Sequence, residues 1–286
     1  MRTRILVAAV GIPLLFLVVF LLPGWVFGGL LGVIAAIGAV ELITTTKVVI
    51  NIRMVAYCVA AAFAIPLAMS FAVTMAVPFI ALLLLLALAG EAILAYGTER
   101  PLPLGHITQA FFAGVVIPVF LGALSTLRII EEGTPFGEAG YFFDGRIYVL
   151  IPFVIAFATD GGAYFAGNAF GKHKLIEKIS PKKTIEGSLG GFLAALVAIL
   201  VFCLVMIIVF DAEYSLAAVL IYSVVGSAIT QIGDLIFSLI KREYNKKDFG
   251  NLLPGHGGIL DRFDSLIVLA PFVATMVLWL PIFLQG

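Results

Sequence analysis

The 286-residue chain is predicted to be an all-α polytopic integral membrane protein with about nine transmembrane helices. Composition comes first: 62% of residues are hydrophobic and 12% charged, against about 25% charged in ordinary soluble domains. A soluble globule of this size could not cover its surface with so few charges. Second, apolar runs near the about 20 residues needed to cross a bilayer recur along the whole chain. Third, Lys and Arg gather in alternate connections between those runs. The formal net charge of zero gives no bulk basic character for nucleic-acid binding. Cys58 and Cys203 lie inside apolar runs without CxxC spacing and read as buried free thiols.

The predicted spans fall at 5–23, 25–43, 54–71, 73–96, 107–130, 148–170, 188–210, 214–240 and 264–284. "LPGW" separates the first pair, and a polar turn from Ser70 to Thr74 separates the third from the fourth. The first run follows "MRTR" and resembles a signal peptide. Its apolar part exceeds the about 7–15 residues of a signal h-region and further spans follow, so it is kept as a helix. With the N-terminus cytoplasmic and the C-terminus outside, 15 of the 17 Lys and Arg are cytoplasmic, and only Arg128 and Arg146 lie outside. A missed or invented helix would scramble that bias. The outside loop at 131–147 is acidic and aromatic, which suits an interfacial belt. No repeat or soluble domain is evident: 1–286 reads as one membrane domain, with a five-helix part at 1–130 and a four-helix catalytic part at 148–286.

Ionisable side chains inside spans are functional candidates because burying them is costly. Five acids qualify: Glu41, Glu91, Asp160, Asp234 and Asp264. Glu41 is near the cytoplasmic end of its span, where snorkelling is a sufficient explanation, and Glu91 lies in a Gly-flanked stretch where a structural role is open. Asp234 stands seven residues before Lys241, about 10 Å below the charged end of a continuous helix. A lone carboxylate there wants a cation. Asp261 and Asp264 follow after the loop, spaced i, i+3. Asp160 enters from "FATDGGAYFAGNAFGKH", whose glycines let backbones approach closely. Converging carboxylates without cysteine suit a hard cation such as Mg²⁺, which takes one or two protein carboxylates plus substrate phosphates. Separate structural ion pairs are the alternative.

Two lysine-rich loops, "GKHKLIEKISPKKTIEGSLGG" and "KREYNKKDFGNLLPGHGGILDR", supply the opposite charge. Positive-inside bias accounts for Lys172, Lys174 and Lys178. Lys182, Lys183 and Arg242, beside embedded acids, fit phosphate binding by point charges and a bidentate fork. The glycines of "GHGG" could form an anion nest at a helix N-terminus, although no Walker A loop is present. Cationic side chains, a nest and a metal would hold a polyphosphate against a membrane-embedded substrate, the arrangement phosphoryl or nucleotidyl transfer needs.

The stretch from Ser238 to Asp264, "SLIKREYNKKDFGNLLPGHGGILDRFD", resembles the signature of the phosphatidate cytidylyltransferases, or CDP-diacylglycerol synthases. Ser238, Lys241-Arg242, Lys247-Asp248, Gly250, His256-Gly257-Gly258, Asp261-Arg262 and Asp264 carry the likeness, and "TDGGAYFAGNAFGKHKLIEKISPKKTIEG" resembles the family's other polar block. The resemblance implies the reaction CTP + phosphatidate → CDP-diacylglycerol + pyrophosphate, in phospholipid biosynthesis. It further implies a required Mg²⁺ on Asp234 and Asp261, with a second cation left open, in a cytoplasm-facing cavity open sideways to lipid. One departure is Gly161, where family members commonly carry a hydroxyl residue after the Asp of "TD"; it weakens a ligand role around Asp160. The short N-terminus looks bacterial, so the expected location is the inner or plasma membrane. The candidate catalytic residues are then Asp234, Asp261, Lys241, Arg242, His256, Arg262 and Asp264. Those expected to bind substrate are Asp160, Lys182, Lys183, Thr184, Ser238, Lys247, Gly257 and Gly258.

Phosphatidate is a phosphate monoester with a second pKa of about 6, so its attacking oxygen is mostly ionised at neutral pH without a general base. His256 is accordingly expected to donate a hydrogen bond to phosphate or to pack. Two other readings remain: a CTP-dependent polyprenol or dolichol-type lipid kinase, and an ion-coupled transporter. The acids lean to one face beside lysine-rich loops without paired repeats, which disfavours transport. The expected partners are CTP, phosphatidic acid and membrane lipid, without nucleic acid. A homodimer is compatible with the sequence, which sets no oligomeric state.

Overall fold

Lipid offers no water to solvate a backbone, so an apolar span must satisfy its own N–H and C=O groups, and a helix does so within one segment. The computed structural model describes residues 13–47, 51–73, 75–96, 98, 102–131, 135–136, 139–140, 143–252 and 257–284. Among them, eight helices are long and apolar enough to cross a membrane: α1 (Gly24–Thr45), α2 (Ile52–Ser70), α3 (Ala76–Tyr96), α4 (Leu104–Arg128), α5 (Gly145–Phe170), α6 (Ile185–Phe210), α7 (Leu216–Glu243) and α8 (Leu260–Trp279). The protein is an all-α polytopic membrane protein. Each helix overlaps one predicted span from the second to the ninth. Of the first span, 13–16 are helical and Leu17–Leu21 form a π-helical turn, while 1–12 lie outside the described residues.

The helix boundaries follow local chemistry. Pro23, at φ −58° and ψ 149°, precedes α1, and Asn51 caps α2 by accepting from Arg53 N at 3.0 Å. Asp144 caps α5 through Arg146 N at 2.8 Å, and Thr184 caps α6 through Gly187 N at 3.1 Å. Asp211, left-handed at φ 55°, ends α6. A π-helical turn at Phe112–Val116 interrupts α4. The last helix departs from its expected bounds at both ends. It begins at Leu260, one turn early, so Asp261 is helical. It stops at Trp279, before Pro281, and Phe283–Leu284 form strand β6. Proline disfavours helix in the residue before it and has no N–H to donate.

The chain divides into two compact units, residues 1–126 with 243–263, and 127–242 with 264–286. Within the first, α1 and α2 meet through glycine: a Cβ at Gly32 would stand 2.6 Å from the Phe63 carbonyl oxygen. Glu91 Oε2 accepts from Asn51 Nδ2 and from Arg53 Nη2, both at 3.0 Å, so this embedded acid clasps the start of α2 to α3. That is a structural pairing.

Within the second unit, α5 and α6 pack along a run of small residues. A Cβ at Gly187 would lie 2.8 Å from the Ala163 carbonyl oxygen, and one at Gly191 would lie 3.0 Å from that of Thr159. Side chains are absent where the backbones nearly touch, as membrane helix pairs require. The loop between these helices is a hairpin of β3 (Lys174–Ile176) and β4 (Ser180–Thr184), antiparallel with Lys174 opposite Thr184 and Ile176 opposite Ser180. A short ribbon pairs β5 (Glu213–Tyr214) with β6. Phe283, fully buried, meets Phe143 edge to face at a centroid distance of 5.0 Å. In the connection between α4 and α5, β1 (Pro135–Phe136) pairs with β2 (Ala139–Gly140).

Candidate active site

The second unit gathers polar groups where the hairpin base meets α7. Alternation along β4 turns neighbouring side chains to opposite faces, so Lys182 is exposed while Lys183 turns inward. Lys183 Nζ lies 2.7 Å from Asp234 Oδ2, with both side chains about a quarter exposed, and reaches the Gln231 carbonyl oxygen at 3.4 Å. The cation that Asp234 demands on electrostatic grounds is therefore supplied by the chain itself. Ser238, one turn on, donates to Asp234 Oδ1 at 3.2 Å. Gln231 completes the junction: its Oε1 accepts from Ser188 Oγ at 2.5 Å, and its Nε2 donates to Ser227 Oγ at 3.3 Å.

Glycine brings the next acid close. A Cβ at Gly233 would lie 3.3 Å from the Asp264 backbone oxygen and 3.2 Å from Val268, so α8 runs directly against α7 beside Asp234. Asp264 sits in a common electrostatic field with Asp234, Asp160 and Lys241. Lys241 is buried, whereas Asp160 is exposed. Beyond its chain neighbours and its own helix backbone, nothing lies within 4 Å of the Cβ position at Gly161, so a hydroxyl residue would fit there and the departure from the family pattern is not forced by packing.

The hairpin is tied down from both sides. Arg242 Nε donates to the Ile179 carbonyl oxygen at 3.2 Å. Glu186 accepts from the backbone N of Lys172 at 3.1 Å and pairs with His173 Nδ1 at 2.6 Å. Thr184, buried at the end of β4, is the α6 cap.

The first unit holds a polar device of its own around the glycine-rich loop. Asp261 Oδ2 accepts from Phe249 N at 2.8 Å and Gly258 N at 2.9 Å. Glu41 Oε1 accepts from Ile259 N at 2.9 Å, and Oε2 from Leu260 N at 2.8 Å. Of the "GHGG" glycines offered to a phosphate nest, Gly258 thus gives its amide to a carboxylate of the chain, and the amides of Ile259 and Leu260, which follow it, do the same. The anion-binding character is there, with an internal anion. Glu41 does not snorkel: it is only 7% exposed and points into the protein, because backbone N–H groups of the α8 start give its charge a better site than the interface. Gly257 adopts φ 83°, a left-handed conformation open to glycine. Lys247 and Arg262 are exposed. His256 lies outside the described residues.

Among the described residues no three or more His, Cys, Asp or Glu side chains form a metal cage. The second unit instead offers oxygen donors, from Asp234 and Asp264, beside lysines. That set fits a hard cation whose remaining ligands come from substrate phosphates, as Mg²⁺ commonly binds. It does not fit a metal held by protein alone. Sequence reasoning missed Gln231 and Ser188; an amide one turn ahead of an embedded acid was the available signal.

The chain matches the profile of the Cytidylyltransferase family over residues 2–280. It is similar to the phosphatidate cytidylyltransferase of Bacillus subtilis (strain 168), 48% identical over 129 residues that make up 45% of this chain and 46% of that protein. The protein of that name from Staphylococcus saprophyticus is 44% identical over 135 residues, 47% of this chain and 50% of the relative. That from Haemophilus influenzae is 37% identical over 191 residues, 67% of this chain and 62% of the relative. The chain spans about half the length of the first two relatives. With the profile running nearly end to end over a polytopic helical protein, the chain belongs to the cytidylyltransferase family.

Proposed function

We propose that this protein is a phosphatidate cytidylyltransferase of bacterial membranes, converting CTP and phosphatidate to CDP-diacylglycerol and pyrophosphate at the cytoplasmic face. The observation that carries the reading is the junction of Lys183, Asp234 and Ser238 at the base of a lysine-rich hairpin. It places a carboxylate and an ammonium together at the end of membrane helices. A soluble nucleotide and a lipid phosphate could both reach such a place. The charge bias of the loops supports the cytoplasmic orientation.

In this reaction a phosphatidate oxygen attacks the α-phosphorus of CTP, the bond from that phosphorus to the bridging oxygen breaks, and pyrophosphate leaves with the electron pair. The attacking oxygen carries no proton once the monoester is fully ionised, so the residues position and neutralise. An ammonium has three donors; Asp234 and the Gln231 carbonyl oxygen take two of Lys183's, leaving a third for a phosphate oxygen. Lys241 adds a second positive charge within electrostatic reach of Asp264. Arg242 has its Nε on the hairpin backbone, which holds a planar, permanently charged guanidinium, a group suited to phosphate, at the hairpin. Asp234, with Asp264 in its field, would hold Mg²⁺, which when bound neutralises charge on the phosphates and on the departing pyrophosphate. Lys182 and Lys247, exposed on their elements, would draw the nucleotide in by charge.

Purified protein incubated with CTP, phosphatidate and Mg²⁺ should release pyrophosphate and form CDP-diacylglycerol. Formation of CDP with a phosphorylated lipid would replace this reading by lipid kinase chemistry. Neither product at any Mg²⁺ concentration would end it. Omitting Mg²⁺ with a chelator should abolish turnover without unfolding the protein.

A further inference from the structure

We propose that Glu41 is a positioning residue for the reaction, acting through the loop that precedes α8; the inference rests on the cytidylyltransferase reading above. Helix α8 starts at Leu260, after Ile259, which has no side chain able to cap it. A helix start leaves N–H groups without intrahelical partners, and its dipole favours an anion there. Glu41 supplies what the local sequence lacks, from 218 residues away. Both of its oxygens accept, at 2.9 and 2.8 Å.

The surrounding glycines fit this carboxylate. A Cβ at Gly250 would stand 2.5 Å from Glu41 Oε1, and one at Gly258 would stand 2.5 Å from Oε2. Two backbone segments therefore close around one buried side chain. One turn along α1, Thr45 Oγ1 donates to the Phe249 carbonyl oxygen at 2.9 Å, so the same helix grips the loop at its other end. Asp261 Oδ2 then joins the ends to each other by accepting from Phe249 N and Gly258 N. Glu41 and Thr45 thereby set where Asp261 and Arg262, both candidate catalytic residues in the sequence, stand for the proposed reaction, and neither needs to touch a substrate to do so.

The test uses the full-length protein in detergent or nanodiscs. Glu41→Gln keeps the volume and one acceptor, but it turns an amide N–H₂ toward a backbone N–H. The expected result is a monodisperse protein with faster hydrogen exchange at Ile259 and Leu260. Its kcat should be at least about tenfold lower, with KM for CTP and phosphatidate within about threefold of wild type. A folded Glu41→Gln protein with kcat within twofold of wild type overturns the proposal. So does a fall in kcat without any change in exchange at those amides. Should Glu41→Gln fail to fold, Thr45→Val removes only the second grip, and about a two- to fivefold loss of kcat is expected; wild-type kcat in that variant overturns the proposal. Wild-type protein that releases no pyrophosphate would sink the functional reading instead, while the exchange measurement would still decide whether Glu41 holds the loop.

Discussion

Replacing Asp234 by Asn separates a metal-binding acid from a structural ion pair. The gross attraction between Lys183 Nζ and Asp234 Oδ2, 2.7 Å apart, is about 6 kcal/mol at an effective dielectric of about 20. Desolvation opposes most of it, and both side chains retain about a quarter of their exposure, so the net loss of stability on Asp234→Asn is about 1–2 kcal/mol. Against a total stability of about 5–15 kcal/mol, that leaves nearly all molecules folded, and a purely structural pair would lose less than about twofold in turnover. An acid that helps neutralise charge in the transition state would cost about 3–4 kcal/mol, or about 10²–10³ in kcat. The assay is pyrophosphate release per folded molecule, with monodispersity and melting temperature measured on the same preparation. Lys183→Met and the double variant complete a cycle whose coupling term reports the pair alone. Near-normal turnover in folded Asp234→Asn at ordinary Mg²⁺ would refute the reasoning.

Arg242→Lys keeps the charge but loses both the planar fork and the Nε contact to Ile179, so activity should fall about tenfold or more at unchanged melting temperature; wild-type kinetics would return Arg242 to positive-inside bias. Gly191→Ala places a methyl 3.0 Å from the Thr159 carbonyl oxygen and should lower stability by about 1–3 kcal/mol, read as a drop in melting temperature; an unchanged melting temperature would contradict so close an approach of α5 and α6. Lys178→Cys and Lys246→Cys are exposed positions in the two basic loops, while the native Cys58 and Cys203 are buried. An impermeant thiol reagent should leave both variants unlabelled in intact cells and label them after permeabilisation; labelling in intact cells would reverse the proposed orientation.

What could be read from the sequence divides by the kind of partner each residue has. Span positions were legible because hydrocarbon imposes a length and a composition, so α1 to α8 fall on expected runs. The Asp234 reading was legible in its demand for a cation but not in the cation's identity. Lys183 lies 51 residues earlier, and it faces Asp234 only because β4 alternates its side chains. As an undifferentiated basic loop, "SPKKT" offered Lys182 and Lys183 as equals; as a strand it sends them opposite ways. The hairpin itself left little trace, because five residues rich in lysine and proline lack the apolar alternation that marks a strand.

Glu41 shows why the remainder was hidden. A carboxylate near a helix end looks the same whether it snorkels to water or turns inward to backbone N–H groups, because amides carry no residue-type signal. The clue lay at the other end of the contact: an uncapped helix start at Ile259 and Leu260, with Gly250 and Gly258 where any side chain would collide with the acid. Glycines in a signature are readily assigned to a ligand, since a nest of amides binds anions. Here the amides of Gly258, Ile259 and Leu260 bind Asp261 and Glu41, so the same chemistry builds the loop's shape. Under the proposed function, the side-chain cations Lys183 and Arg242 are the foremost candidates for holding the substrate phosphates. Their geometry depends on the hairpin and on the Asp234 junction, which is why Asp234→Asn and Arg242→Lys, and not substitutions at Gly258, are the variants that test how the phosphates are held.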